Sequence, residues 1–349
     1  MSIRKVSIKD IANEVGCSIA LVSFVMHNKE TNSNKYRVNK DTAKRILEAA
    51  DRLGYMPDSS ARALRCGRTN TIGVIVPDIS NKFFADIARC IEDHAHNYTV
   101  IFGSTDENAK KLDRLIDVFI NKGVDGLIIV PCENSDMSIK RVGEMKVPMV
   151  LLDREIEGSD FNSVVLNNFN ASMQLTETLI SKGCRRIEMI SYSMRLSNIK
   201  EREAGFMKAL TDAGFQTDRV IHRVHHEHMD RVATILDGVK ARGTDGLLFA
   251  TNTFSLTGMK AMAKKGWRIP DDFHVATFDY SDAFEINNLE ISYIQQPIMQ
   301  FSTEAVDFLL KIINKKNTYT APTRIILASK LVVLPEVPDK VCDTRPEIK

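Results

Sequence analysis

The sequence predicts an all-α helix-turn-helix head followed by an α/β core of two doubly wound parallel-sheet subdomains. Three observations predict it. Residues 8–53 contain three short amphipathic segments with capping residues between them. From Thr71 onward, short β-rich runs alternate with helical segments. "NKGVDGLIIVP" (121–131) is echoed by "ARGTDGLLFAT" (241–251), each after a helical segment, as two similar halves require.

Ser7, with Asp10 three residues on, forms a capping-box-like start. Ile8, Ile11, Ala12 and Val15 then recur at helical spacing. Gly16 ends this helix and Ser18 caps the next. In "SIALVSFVMHN" (18–28), helical spacing turns Val22, Val25 and Met26 inward and Ile19, Ala20, Ser23, Phe24 and His27 outward. A third helix is expected from about Lys40 to Leu53, with Asn39 as its cap and Gly54 just past its end. A tight turn between the first two of three helices is the helix-turn-helix pattern, whose second helix enters the major groove of DNA. The polar loop 29–37 reads as a solvated insertion. Residues 55–70 carry a Pro, a capping Asp58, about two helical turns and Gly67; that is too short for a stable lone helix and reads as a linker that orders on contact.

In the core, strand-like runs are "TIGVIVP", "YTVIFGS", "DGLIIVP", "VPMVLLD", "RIEMIS", "GLLFAT" and "HVATFD". Apolar runs of this kind between helices indicate parallel strands buried on both faces. Ligands of such sheets bind beyond the carboxyl ends of the strands.

Composition narrows the class. The chain has 349 residues, 44% hydrophobic and 26% charged, as an ordinary globular protein of two or three domains would. The net charge of +2 hides an asymmetry: residues 1–70 carry 13 Lys and Arg against 7 Asp and Glu, and the remainder is net acidic. A basic head on an acidic body points to a polyanion as the head's partner. Six scattered cysteines form no CxxC pair, so neither a zinc site nor a disulfide framework is expected. No apolar run spans a membrane and the start has no secretory signal, so a cytoplasmic protein without membrane contact is expected. The nucleotide-binding, hydrolase and metalloprotease motifs GxGxxG, GxxxxGK[ST], GxSxG and HExxH are missing, which argues against an enzyme. "HRVHHEH" (222–228) has four His on no metal-binding face and reads as a solvated turn.

"VSIKDIANEVGCSIALVSFV" and "GYMPDSSARALRCGRTNTIGVIVPDISNKFF" resemble the head, hinge and first core strand of the LacI/GalR family of bacterial transcription regulators. "EREAGFMKAL", "DGLLFATN" and "RIPDDFHVATFD" resemble its later landmarks, in order. The resemblance implies a periplasmic-binding-protein-like core, a homodimer, double-stranded operator DNA as partner, a small sugar-like effector and no cofactor. The family is usually repressive. The implied domains are a head at 1–57, a hinge at 58–70, a core at 71–338 and a tail at 339–349. The core divides into an amino-terminal lobe of about 71–165 and 297–338 and a carboxy-terminal lobe of about 166–296.

The resemblance also assigns residues. DNA contact is expected from Ser18, Ile19, Ala20, Ser23, Phe24 and His27. Leu64 falls where the family drives a leucine wedge into the minor groove, with Arg62 and Arg65 beside phosphates. Phe24 stands where the family usually has Arg, so thymine-methyl contacts replace a guanine fork. Arg202 and Asp279 occupy the family's ligand-binding arginine and aspartate. Phe83, Phe84, Asp106, Asp153, Thr251 and Asn252 complete the expected ligand set. No metal ligands are expected.

Overall fold

The computed structural model describes residues 6–27, 38–55, 67–314 and 322–334. The chain divides into two compact units, one ending at Thr69 and one beginning at Asn70.

In the first unit, α1 (Ile8–Val15) opens with a complete capping box. The Ser7 hydroxyl accepts from the Asp10 amide, and Asp10 accepts from the Ser7 amide at 2.8 Å. Gly16 takes the left-handed conformation (φ 72°) and returns its amide to the Ala12 carbonyl. Ser18 Oγ then accepts from the Leu21 amide at 3.2 Å and starts α2 (Ile19–His27). Asn39 caps α3 (Lys40–Arg52) through the Asp41 amide. The three helices close on Ile11, Val22, Val25 and Ile46, all buried. Arg45 donates to the Val15 carbonyl at 3.0 Å, tying α3 to the turn. Val22 and Val25 are thus core, as expected, and Met26 packs against them.

The second unit holds two six-stranded sheets. The first contains β1 (Thr71–Val76), β2 (Thr99–Ser104), β3 (Gly126–Ile129), β4 (Met149–Leu152), β5 (Ser163–Leu166) and β11 (Arg324–Leu327), in spatial order β11-β5-β4-β3-β1-β2. The second contains β6 (Ile187–Tyr192), β7 (Ile221–Val224), β8 (Gly246–Phe249), β9 (His274–Phe278), β10 (Ile291–Gln295) and β12 (Lys330–Val332), in the matching order β12-β10-β9-β8-β6-β7. Apart from the edge strands β11 and β12, which run parallel and antiparallel to their neighbours, the two sheets repeat one topology, which the echo of 121–131 in 241–251 anticipates. β3 and β8 in those segments are buried at every position, because helices cover both faces.

The intervening helices are α4 (Lys82–His94), α5 (Ala109–Asn121), α6 (Asp136–Glu144), α7 (Asn168–Ser181), α8 (Ser197–Asp212), α9 (Arg231–Ala241), α10 (Asn252–Lys264), α11 (Asp282–Ile286) and α12 (Ile298–Asn314). α7 and α8 pack backbone to backbone at Gly205. A Cβ built there would lie 2.1 Å from the Phe169 carbonyl oxygen.

The chain crosses between the sheets after β5, after β10 and between β11 and β12. The last crossing departs from the sequence reading, which leaves everything from 297 onward in the amino-terminal lobe. β12 pairs antiparallel with β10 and so extends the second sheet. Three residues with no helical segment before them carry too little local pattern to reveal which sheet edge they reach.

Candidate effector cleft and DNA-facing helix

A cavity of about 310 Å³ opens beyond the carboxyl ends of strands from both sheets. All eight residues expected to bind ligand line it: Phe83, Phe84, Asp106, Asp153, Arg202, Thr251, Asn252 and Asp279. Their reasons for being there differ. Phe83 and Phe84 open α4 and are both buried, in an edge-to-face pair 5.0 Å apart; Phe83 also packs edge-on against Phe301. Thr251 caps α10, and Asn252, its first residue, donates to Asn81 Oδ1 at 3.3 Å across the cleft. Asp106 lies at an exposed edge, paired with Lys111 at 2.5 Å and with Ser104. The Lys111 hydrogen bond holds its carboxyl below the usual range.

Arg202 is 3% exposed on α8. Its Nε donates to Asn168 Oδ1 at 2.8 Å and its Nη1 to the Ala250 carbonyl at 2.7 Å. The guanidinium lies 3.7 Å from the centre of the Phe278 ring. Burial lowers its pKa, and the charges of Asp153 and Asp279 oppose that effect. Asp279 accepts from Gln296 Nε2 at 2.7 Å, and burial pushes its carboxyl up to about 6. Asp153 is 3% exposed and accepts from Asn198 Nδ2 at 3.0 Å; burial raises its pKa against the pull of Arg154 and Arg202.

Sequence reasoning missed several lining residues. Glu107 and Arg154 form a two-bond ion pair within the wall, at 2.9 and 2.8 Å. Burial works against the Arg154 charge, but Glu107 outweighs it and raises the pKa. Asn198, Tyr192, Gln296 and His226 also reach the cavity. Arg154 and Glu107 directly follow Asp153 and Asp106, so a charged residue at the end of an apolar run was an available signal. His226 corrects the reading of 222–228 as a solvated turn: it is half-buried and faces the cleft, in a short 3-10 helix after β7. The tilted ring of its neighbour His225 packs against it, with ring centres 4.3 Å apart. Among the described residues no cluster of His, Cys, Asp or Glu could hold a metal ion, and no helix is long and apolar enough to cross a membrane. Tyr280 lines a neighbouring cavity that shares Phe83, Asn252, Asp279 and Gln296 with the cleft.

In the head, Ser18, Ile19 and Ala20 are exposed at the start of α2, with Ile19 52% exposed. Ser23 and Phe24 are half-buried on the same helix. An exposed isoleucine beside a serine-capped helix end is a surface that methyl groups and phosphates can meet. The side chain of His27, together with Arg62, Leu64 and Arg65 and the loop 29–37, lies outside the described residues.

Known proteins share both parts. Residues 7–58 match the family model of bacterial regulatory proteins of the lacI family, and residues 69–332 match that of periplasmic binding proteins and the sugar binding domain of the LacI family. The chain is 30% identical over 320 residues to the HTH-type transcriptional regulator RegA of Clostridium saccharobutylicum, covering 89% of this chain and 93% of that protein. It is 32% identical over 316 residues to RegA of Clostridium acetobutylicum, covering 88% and 93%. A Lac repressor dimer solved with operator and the anti-inducer ONPF has the same fold, with a TM-score of 0.80 at 20% identity, over 94% of this chain and 98% of that one.

Proposed function

Because the chain belongs to the LacI family of bacterial regulatory proteins, we propose that α2 reads its operator and that the cleft beyond the two sheets holds its effector. The protein is a ligand-responsive, DNA-binding transcription regulator and not an enzyme. It works as a dimer in the cytoplasm, with two heads on the half-sites of a near-palindrome. By this reading its action is repressive, the effector is sugar-like, and residues 58–70 form the hinge between the head, ending at residue 57, and the core. An effector between the lobes favours one lobe angle over another, and that preference shifts the hinge toward or away from order. The coupling is reciprocal: DNA changes effector affinity by the same factor.

One observation carries this reading. Eight residues chosen by their place in the sequence converge on a single polar cavity between two sheets, joined to a helix-turn-helix unit. The test combines operator selection from a random duplex library with a small-molecule thermal-shift screen. Duplex affinity should fall steeply with salt, as phosphate contacts require. Arg202→Ala should keep operator binding and lose the effector response. Flat or absent duplex binding across salt, or a normal response in that variant, overturns the reading.

A further inference from the structure

The charge lining the cleft is unbalanced. Five carboxylates face it, from Asp78, Asp106, Glu107, Asp153 and Asp279, against the guanidiniums of Arg154 and Arg202, with His226 as the remaining titratable base. Neither guanidinium presents an open two-nitrogen fork. Arg154 gives Nη1 and Nη2 to the two oxygens of Glu107, and Nη1 also reaches the Pro131 carbonyl at 3.0 Å. Both side chains of this pair are nearly buried, at 7% and 12% exposed. Arg202 is engaged at Nε and Nη1 and stacked on Phe278.

What remains open is of another kind. Asp153 Oδ1, Gln296 Oε1, Arg154 Nε and His226 Nδ1 are buried without a hydrogen-bond partner. They are two acceptors, one donor and a ring nitrogen that donates or accepts with its tautomer, on residues that line one cavity. A hydroxyl group can donate to a carboxylate oxygen while accepting from an N–H, so hydroxyls satisfy this set. A phosphate or carboxylate brings acceptors only. It would lose its hydration, find the Arg154 fork held by Glu107 and two of the three Arg202 nitrogens engaged, and face the carboxylates of Asp279 and of Asp153, whose ion contact with Arg154 Nε is long at 3.6 Å.

We propose that the cleft takes an uncharged polyhydroxy ligand and excludes sugar phosphates and sugar acids, and that Glu107 enforces this by occupying the Arg154 fork. The proposal rests on the reading of the cleft as the effector site and narrows the chemistry it accepts. Glu107 accepts from both terminal nitrogens of Arg154, so it acts as a specificity residue through that guanidinium.

The test uses the full-length chain and matched probes at constant ionic strength: glucose and glucose 6-phosphate, ribose and ribose 5-phosphate, and glucuronate. Melting shifts and titration calorimetry read binding. The wild type should gain no stability from any anionic probe. Glu107→Gln removes the negative charge and one of the two acceptors that hold the Arg154 fork, and should raise affinity for an anionic probe by roughly tenfold or more. Adding Arg154→Gln should remove that gain. An anionic probe that binds the wild type more tightly than its neutral partner overturns the proposal, as does a folded Glu107→Gln chain with no gain. If Glu107→Gln does not fold, Asp279→Asn removes a facing negative charge instead, and the same gain or its absence decides. Operator affinity is scored separately: a probe that binds without changing it counts against the effector reading and leaves the charge selection standing.

Discussion

Asp153 and Asp279 occupy equivalent positions in the two lobes. Each is the first residue past a strand, β4 and β9 respectively. Each sends its amide to the adjacent strand, to the Val164 and Ile294 carbonyls, both at 2.9 Å. Each takes a left-handed backbone, φ 63° and 67°, that a non-glycine residue adopts only at a cost. The repeated topology thus aims one carboxylate from each lobe into the same cavity.

That placement makes Asp279 a source of instability at neutral pH. Its folded carboxyl, pushed up to about 6 by burial, holds a proton more tightly than the same group in an unfolded chain, near 3.8. Its contribution favours folding fully below about pH 4 and is lost as the pH rises through about 6. Asp279→Asn should therefore be more stable than the wild type above pH 7, by up to about 3 kcal/mol. It should also bind effector more weakly. Thermal melts from pH 4 to 8 check this; parallel curves for the two chains would remove Asp279 as the titrating group.

Glu188 should show the opposite sign. It is 2% exposed on β6. Burial pushes its carboxyl up, but hydrogen bonds from His222, Arg242 and Thr244 outweigh this and bring it down to about 2. Its stabilisation is present above about pH 4.5 and is lost as the pH falls toward about 2. Glu188→Gln should cost on the order of 3 kcal/mol at pH 7 and flatten acid unfolding. An unchanged acid midpoint in the variant would assign the effect elsewhere.

Gly205→Ala should destabilise the core severely, by more than about 2 kcal/mol. The added methyl meets the Phe169 backbone, which cannot move without separating α7 from α8. Chemical denaturation measures the loss. A variant within about 0.5 kcal/mol of the wild type would show that the two helices tolerate separation.

Phe24→Arg tests the reading of α2. A guanidinium there can fork to guanine O6 and N7, which phenyl cannot. Operator selection with the variant should shift preference toward G·C at one position per half-site. The same selected sequences for both chains would mean that residue 24 does not face the bases.

Among the described residues, the local sequence determined the three helices of the head. Ser7, Gly16, Ser18 and Asn39 act within three or four residues of themselves, so caps and helix faces were readable without the fold. It also determined the alternation of strands and helices and the doubling of the core, because burial on both faces leaves an unbroken apolar run. Asp153, Arg202 and Asp279 were found by their place at the ends of such runs or by resemblance. Only the tertiary structure decided what those residues do for one another. The Glu107–Arg154 pair spans 47 positions and the Asn81–Asn252 contact spans 171. The third crossing, which carries β12 into the second sheet, and the close approach at Gly205 have no local signature either. Periodicity records which face of an element is buried. Partners distant in the chain meet only once the sheets have assembled, and that meeting sets the charge of the cleft.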